Sequence, residues 1–545
     1  MNILNASQFK QMLENGSNLL TNRHSEIDAL NVFPVPDGDT GTNMYLTFSA
    51  GTADAVNTLS EYVGELAKAL SKGLLMGARG NSGVILSQIF RGFAQGVEGL
   101  KEVDVLTLSK AFMKGSEVAY RSVMKPVEGT ILTVIRESSY MAFKYVEDHP
   151  ECSLLEFFEY FVREMNSSLE FTPELLPVLK EVGVVDSGGA GLLLIIEGFR
   201  DALLGIKIQL DQNLSSRESV QSMLESEEFG YCTEFIIKLS ESGERSFNEE
   251  KLKNALAKLG ESIVVVQDED IVKVHVHTLK PGDALNLAQR YGEFLKLKIE
   301  NMQEQHQNIM TTENKGNPLN TSKTNERKKY GIIVVAAGEG LTEYFSELRA
   351  DVVISGGQTM NPSTEDFVGA INSLNAEHII LLPNNSNIVL AAQQAKQVCE
   401  DRDIHVIPST TIPQGLTACL MFNPEVSIEE NLVEMQIALE RTKTGQLTYA
   451  IKDTSFDGVI IEEGDYMGIM GKEIVSNSKD KMRVVMDLVN HLVDNDTEIL
   501  TLIKGEDTSV EETNAVAEYI SNHYQIEIET INGEQPVYGF IIGVE

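Results

Sequence analysis

Through residues 1–205 the apolar positions recur at helical spacing. In the run from Leu106 to Met124 they fall at Leu106, Leu108, Phe112, Met113, Val118 and Val123, a repeat that predicts an amphipathic helix. Segments 59–75, 154–170 and 189–204 follow the same rule. Short stretches rich in glycine or proline separate them, at 34–42, 77–83, 125–130 and 183–191. The pattern predicts an all-helical domain over 1–205 with four conspicuous loops. Residues 206–228 read as a polar connector.

The period changes after that. Tyr231–Leu239 alternates as a strand does, 250–259 returns to helical spacing, and 262–266 and 271–277 are strands around a turn at 267–270. Helix follows at 281–291, with Pro281 suited to a first turn, and a last strand lies at 294–299. The order βαββαβ is that of a ferredoxin-like α+β domain, and it sets a middle domain at 206–300. Residues 301–329 carry almost no large apolar side chains and read as a mobile linker. From Tyr330 onward short apolar strands alternate with helices (341–348, 365–374, 388–398 and 415–421), which predicts a parallel sheet buried on both faces. The last hundred or so residues mix strands with helices near 478–493 and 509–523, and 330–545 reads as one α/β region of two lobes.

Composition narrows the function more than the fold. A length of 545 residues suits about three domains of roughly 100–200 residues each. The net charge of −37 argues against a general binder of nucleic acid or anionic membrane, because phosphate surfaces would repel it. Four cysteines, Cys152, Cys232, Cys399 and Cys419, follow no disulfide spacing and fit a reducing compartment. No basic, then apolar leader opens the chain, and no run of ~18 apolar residues interrupts it. A cytoplasmic location is expected.

Candidate chemistry lies in the loops. In the stretch from Asn31 to Met44, the core Pro36-Asp37-Gly38-Asp39-Thr40-Gly41-Thr42-Asn43 sets two carboxylates two residues apart, with glycines that let backbone approach a ligand. Magnesium takes hard oxygens, commonly one or two carboxylates plus phosphate oxygens. Taken alone, the loop reads equally as a turn with solvated aspartates. Gly77-Ala78-Arg79-Gly80-Asn81-Ser82-Gly83 leads into a helix whose first N–H groups would make an anion site. Loops containing Gly129 and Thr130, and Asp186 and Gly188, repeat the theme. Four such loops in one domain favour a common ligand.

A second constellation depends on strand pairing. With sheet order 4-1-3-2, the first and third strands of the middle domain lie antiparallel, bringing Cys232 to the ends carrying His275 and His277. Two residues apart on one strand, those histidines share a face. The three can meet as ligands of a tetrahedral zinc; a buried thiol beside two surface histidines is the alternative. In the C-terminal half, Ser355–Pro362, 383–387 and 408–415 end successive strands, where open α/β sheets bind ligands. His378 and His405 stand at strand starts and read as ordinary surface residues.

The loop set, in this order, resembles the nucleotide-binding module of dihydroxyacetone kinases. That likeness implies an eight-helix barrel holding ATP at one end, with magnesium on Asp37 and Asp39. Asn31 falls near the family's first aspartate. The phosphate loop falls on 77–83, and the adenine-side loops on 125–130 and 183–191. Over its whole length the chain resembles the ATP-binding subunit of bacterial fatty acid kinase. This implies Thr40, Gly41, Thr42, Asn43, Gly80, Asn81, Ser82 and Gly83 around the phosphates, and zinc on Cys232, His275 and His277 in a structural or interface role. It also implies an α/β C-terminal region related to DegV-type proteins that docks a separate DegV-type fatty-acid-binding partner, a homodimer by analogy, and an acyl-phosphate product for phospholipid synthesis. The competing readings are a single-chain dihydroxyacetone kinase, against which the domain order argues, and a regulator that binds nucleotide without turnover.

Overall fold

The computed structural model describes all residues except 1, 32–37, 124, 212–230, 240–246, 248, 257–258, 269–270, 279, 302–326, 358–359, 451–453, 457–458 and 472. Most of the expected linker (302–326) and most of the polar connector therefore lie outside the described residues, while 301 and 328–329, also expected in the linker, belong to strands. The chain forms two compact units, one made of 1–210 together with 326–545, the other of 211–325.

In the first unit a two-residue strand β1 (Ile3–Leu4) precedes α1 (Ala6–Leu30), which starts on a reciprocal cap between Asn5 and Gln8. Then come α2 (Thr40–Asn57), α3 (Val63–Gly77), α4 (Gly80–Gly96), β2 (Val103–Asp104), α5 (Val105–Ser122), α6 (Ile131–Asp148), α7 (Leu154–Leu175), the short α8 (Pro177–Val182) and α9 (Ser187–Leu203). Apart from α8, each helix packs on the next and α9 returns to α1, so that eight helices among the described residues close a ring. Its interior is one apolar cluster with phenylalanines in mutual contact, among them Phe93, Phe112 and Phe161 with ring centroids 4.9–5.0 Å apart. Burying each such ring contributes about 1.5–3 kcal/mol.

Three of the expected loops are shorter than their glycines suggest. Residues 40–42, 80–83 and 187–191 are the first turns of α2, α4 and α9. Glycine in a helix costs only about 1 kcal/mol relative to alanine, and packing outweighs it here. At Gly41 a Cβ would lie 2.1 Å from the carbonyl oxygen of His24, so only glycine lets α2 approach α1 so closely. Conversely the helix expected from residue 59 starts at Val63, and Leu59 is fully exposed.

The middle unit comprises β3 (Tyr231–Leu239), α10 (Glu249–Leu256), β4 (Gly260–Asp268), β5 (Ile271–Thr278), α11 (Pro281–Ala288) and β6 (Gly292–Asn301). The strands pair antiparallel in the order β4-β5-β3-β6. Phe235, Ile237, Val272, Val274 and Val276 fill one face against Leu252, Leu256, Ala284 and Ala288 of the helices.

The α/β part of the first unit begins with β7 (Lys328–Ala336). After it come α12 (Glu339–Glu347), β8 (Val352–Ser355), α13 (Thr364–Ser373), β9 (Ala376–Leu382), α14 (Val389–Val398), β10 (Asp403–Val406), α15 (Ile412–Met421) and α16 (Ile428–Arg441). The four strands form a parallel sheet in the order β10-β9-β7-β8. Alternate residues of β7 enter different cores, Ile332 and Val334 on one face, Ile333 and Val335 on the other. Ala78 and Val84 of the helical ring belong to the second of these cores. Next come β11 (Lys443–Tyr449), β12 (Thr454–Phe456), β13 (Val459–Ile461), β14 (Tyr466–Met470), β15 (Glu473–Ser478), α17 (Lys481–Leu492), β16 (Ile499–Lys504), α18 (Val510–His523), β17 (Glu527–Asn532) and β18 (Phe540–Val544). Six of these strands make a mixed sheet, β15-β14-β11-β18-β16-β17, and β12 pairs with β13. The sequence reading lacks α16, β12, β14, β15 and β17. Strands β15 and β17 are edge strands whose residues are mostly half-exposed or exposed, which leaves little apolar alternation to read.

Candidate functional site

Four helix starts come together at one end of the ring. Gly80, at φ +57°, opens α4 so close to α2 that a Cβ there would meet the Asn43 amide at 2.7 Å. Gly191 in the first turn of α9 abuts Met44 in α2, and Asp186 before α9 accepts a backbone hydrogen bond from Ile131 at the start of α6. Helix starts carry a positive partial charge suited to an anion; at α2, α6 and α9 part of it is already met by Asp28 and Asp186, which accept from the N–H groups of Thr42, Ile131 and Gly189.

Asp39 occupies the N-cap position of α2, yet its carboxylate makes no capping bond. It is buried, and Asn361 donates from Nδ2 to its Oδ2 at 2.5 Å. Desolvation pushes its pKa up to about 6 against hydrogen bonds from Asn43 and Asn361, and the nearby charge of Asp28 adds to the rise. A buried, acceptor-rich carboxyl held at a helix start is one that a cation would keep ionised. Asp37 lies outside the described residues. Asn31 donates to the hydroxyl of Thr40 at 2.9 Å.

Asp28, which the sequence reading does not single out, accepts from the backbone N and the hydroxyl of Thr42 at 3.0 and 2.8 Å. Burial raises its pKa as well. It lies within α1, eleven residues before Asp39, so no motif spacing draws attention to it. Thr42 is occupied by this contact, whereas Asn43 lies beside Asp39 and Asn361. Asn81 points across to the α/β region, its Nδ2 donating to Asn387 at 3.1 Å. Ser82 and Gly83 complete the first turn of α4.

The third and fourth loops carry mainly structural bonds. Gly129, at φ +81°, donates to the Thr133 hydroxyl, and Thr130 donates to the carbonyl of Val127. Asp186 caps α9 through Gly189 N–H at 2.7 Å; burial raises its pKa to about 6 against the hydrogen bonds from Gly189 and Ile131. Gly188 packs against Ile131.

Two surfaces that the sequence treats apart are neighbours. The segment after β8 and the segment after β9, both at carboxyl ends of the parallel sheet, face the starts of α2 and α4. Arg79 donates to the carbonyl of Asn361 at 3.0 Å, Thr364 N–H donates to the carbonyl of Ala78 at 3.1 Å, and Gln394 donates to the carbonyl of Leu75 at 2.7 Å.

In the middle unit, Cys232 lies directly opposite His277, and His275 opposite Glu234, across the β3–β5 pair. By strand alternation the three positions fall on one face of the pair. His378 and His405, expected to be ordinary surface residues, instead flank one carboxylate: Asp403 reaches His378 Nδ1 at 2.5 Å and His405 Nε2 at 3.0 Å. Parallel pairing of β9 with β10 sets Asp403 beside His378, a register that strand order decides. Burial would raise the Asp403 carboxyl, but the two histidines hold it below the usual range.

Comparison with known proteins divides the chain in the same sense. Residues 34–201 match the DAK2 domain, 228–309 the middle domain of the FakA-like family of fatty acid kinase proteins, and 331–545 the C-terminal domain of the same family. These define a kinase-type module joined to two further domains. Protein YloV of Bacillus subtilis (strain 168) is 45% identical over 99% of both chains, and an uncharacterized protein of Staphylococcus epidermidis is 42% identical over 99% of both. The chain belongs to the FakA-like fatty acid kinase family. A solved DegV family protein from Corynebacterium glutamicum overlaps 40% of this chain and 96% of its own at 14% identity, with a TM-score of 0.30, a likeness too slight to carry an argument. Among the described residues no helix is long and apolar enough to cross a membrane.

Proposed function

We propose that this chain is the nucleotide-binding kinase component that transfers the γ-phosphoryl group of ATP to a fatty acid carboxylate, with the acid presented by a separate fatty-acid-binding protein of the DegV type. The observation that carries this is the buried Asp39 carboxylate at a point where four helix starts converge, in a chain of the FakA-like family. The protein for which that family is named is one subunit of a fatty acid kinase, which supports a separate partner.

The donor set fits magnesium: a buried carboxylate beside amide oxygens, the hard donors that a divalent cation takes. Asp39 and Asp37 would hold the ion, with Asn31 at the edge through Thr40. Bound magnesium would neutralise charge on the phosphates. The N–H groups of 80–82 with Asn43, Asn81 and Ser82 would cradle the phosphate oxygens, since Gly83 N–H already donates to the Arg79 carbonyl, and Thr40 with Gly41 would close the side next to α1. A fatty acid carboxylate is already ionised at neutral pH, so no general base is required. One carboxylate oxygen bonds to the γ-phosphorus as the bond to the β–γ bridging oxygen breaks, giving acyl-phosphate and ADP. The chain's task is positioning and charge stabilisation.

The test is an acyl-phosphate assay with ATP, magnesium, oleate and the carrier. Undiminished product with Asp37→Ala plus Asp39→Ala would sink the reading; turnover of dihydroxyacetone without any added protein would replace it with the glycerone-type kinase.

We infer further that Cys232, His275 and His277 hold a zinc ion, supported by the register that sets them on one face of the β3–β5 pair. One equivalent of zinc in the purified chain, absent from Cys232→Ser, is the expected result. A zinc-free native chain that is equally stable would rule it out.

A further inference from the structure

The contact between Asn361 and Asp39 joins positions separated by 322 residues in sequence. Asn361 is 2% exposed. Three bonds hold its surroundings: Arg79 Nη1 donates to its backbone carbonyl at 3.0 Å, Thr364 N–H donates to Ala78, and Gly357 N–H donates to the Met360 carbonyl in the turn before it. Its Nδ2 reaches Asp39 Oδ2 at 2.5 Å and lies 3.5 Å from Asn43 Oδ1. Its amide oxygen Oδ1 is buried and has no hydrogen-bond partner among the described residues.

A buried amide oxygen left without a donor costs free energy, and native structures keep such atoms rarely. Here the orphan is a hard-oxygen donor beside a buried carboxylate, the chemistry a divalent cation satisfies. Arg79 does not fill the role, because its guanidinium is turned to the backbone carbonyl of Asn361 and toward Asp366 at 3.8 Å.

We propose that Asn361 is a residue of the nucleotide–metal site, supplied by the α/β region: its amide N–H positions the Asp39 carboxylate, and its buried Oδ1 is an oxygen ligand for the divalent cation that accompanies ATP. The site is then composite, built from both ends of the chain, and the C-terminal region acts on the chemistry directly. This rests on the kinase reading above.

The experiment uses the full chain and manganese as an EPR-visible stand-in for magnesium, titrated with a non-hydrolysable ATP analogue. Asn361→Ala should weaken manganese–nucleotide binding about ten- to hundredfold, the range for partners that orient metal ligands. Asn361→Asp keeps an oxygen ligand and should regain most of that affinity. A residue that merely pins the interface predicts the opposite order, because a second carboxylate facing Asp39 would be worse than alanine. Binding of Asn361→Ala within twofold of wild type, or Asn361→Asp weaker than Asn361→Ala, overturns the proposal. Asp39→Asn is the control: if it loses binding while Asn361→Ala does not, this inference falls alone, and if the unaltered chain binds no manganese–nucleotide, the kinase reading falls with it.

Discussion

At the start of α2 the candidate nucleotide site draws Asp39, Asn43 and Arg79 from one end of the chain and Asn361 from the other. In the middle unit the candidate zinc positions come from a single antiparallel pair, where Cys232 faces His277 and His275 stands two residues back. Both are constellations of a few polar groups, but they are assembled differently. The second needs only the register of two strands that already read as strands in the sequence. The first needs a ring of helices to close and a parallel sheet to dock its carboxyl ends against two of them. A site set by register should survive changes elsewhere. One set by docking should respond to the packing on either side.

Replacing Asp39 tests that contrast with the largest effect. Asp39→Asn should lower acyl-phosphate formation by about 10³-fold, the scale for losing one preorganised charged group, while zinc content stays unchanged. The same variant should melt at a higher temperature. The folded-state pKa of Asp39 lies near 6, above the ordinary 3.8, so the folded chain holds that proton more tightly than the unfolded chain. This contribution is present below about pH 4 and is lost as pH rises through 6, leaving an ionised, buried carboxylate as a net cost at neutral pH. An unchanged or lower melting temperature would show that burial is not what raises the pKa.

Packing comes next. Gly41→Ala would set a methyl group 2.1 Å from the His24 carbonyl and should destabilise the first unit by about 1–3 kcal/mol. Denaturant unfolding should display that loss in the helical transition and leave the middle unit unmoved.

A smaller effect concerns pH. Magnesium–nucleotide affinity should fall by about tenfold per pH unit below 6, because the proton on Asp39 competes with the cation. Calorimetry between pH 5 and 8 would detect it, and a flat profile would remove Asp39 from the metal shell. Last, Cys232→Ser should abolish zinc binding yet leave nucleotide affinity within about twofold, the additivity expected of independent sites. A large loss of nucleotide affinity would mean that the two sites are coupled.

How far each site is legible follows from its construction. Asp39, Asn43 and the glycines of 80–83 stand in loops that become candidates only as a set of four, since the aspartate loop alone reads equally as a turn. That reading misjudges their local structure, since these residues are helix first turns made possible by close packing at Gly41 and Gly80. Asp28 escapes notice because it sits within a regular helix and becomes a site neighbour only when α2 folds back on α1. His378 and His405 look like separate surface residues until parallel pairing sets Asp403 between them. Asp186 matches a ligand loop by pattern, yet its carboxylate is engaged in capping α9.

Periodicity along the chain is enough to establish the order of helical, mixed and α/β regions and the strands of the middle unit, whereas the residues that sit opposite one another across β3 and β5 are set by the pairing. The order and the strands depend on short-range geometry, which a chain carries along its length. Folding in three dimensions adds what no stretch of residues contains: the carboxyl ends of β8 and β9 close over the starts of α2 and α4, Ala78 and Val84 share a core with the parallel sheet, and Asn361 reaches Asp39. Docking of that kind depends on the summed burial of two distant apolar faces, and no local pattern records which faces will meet.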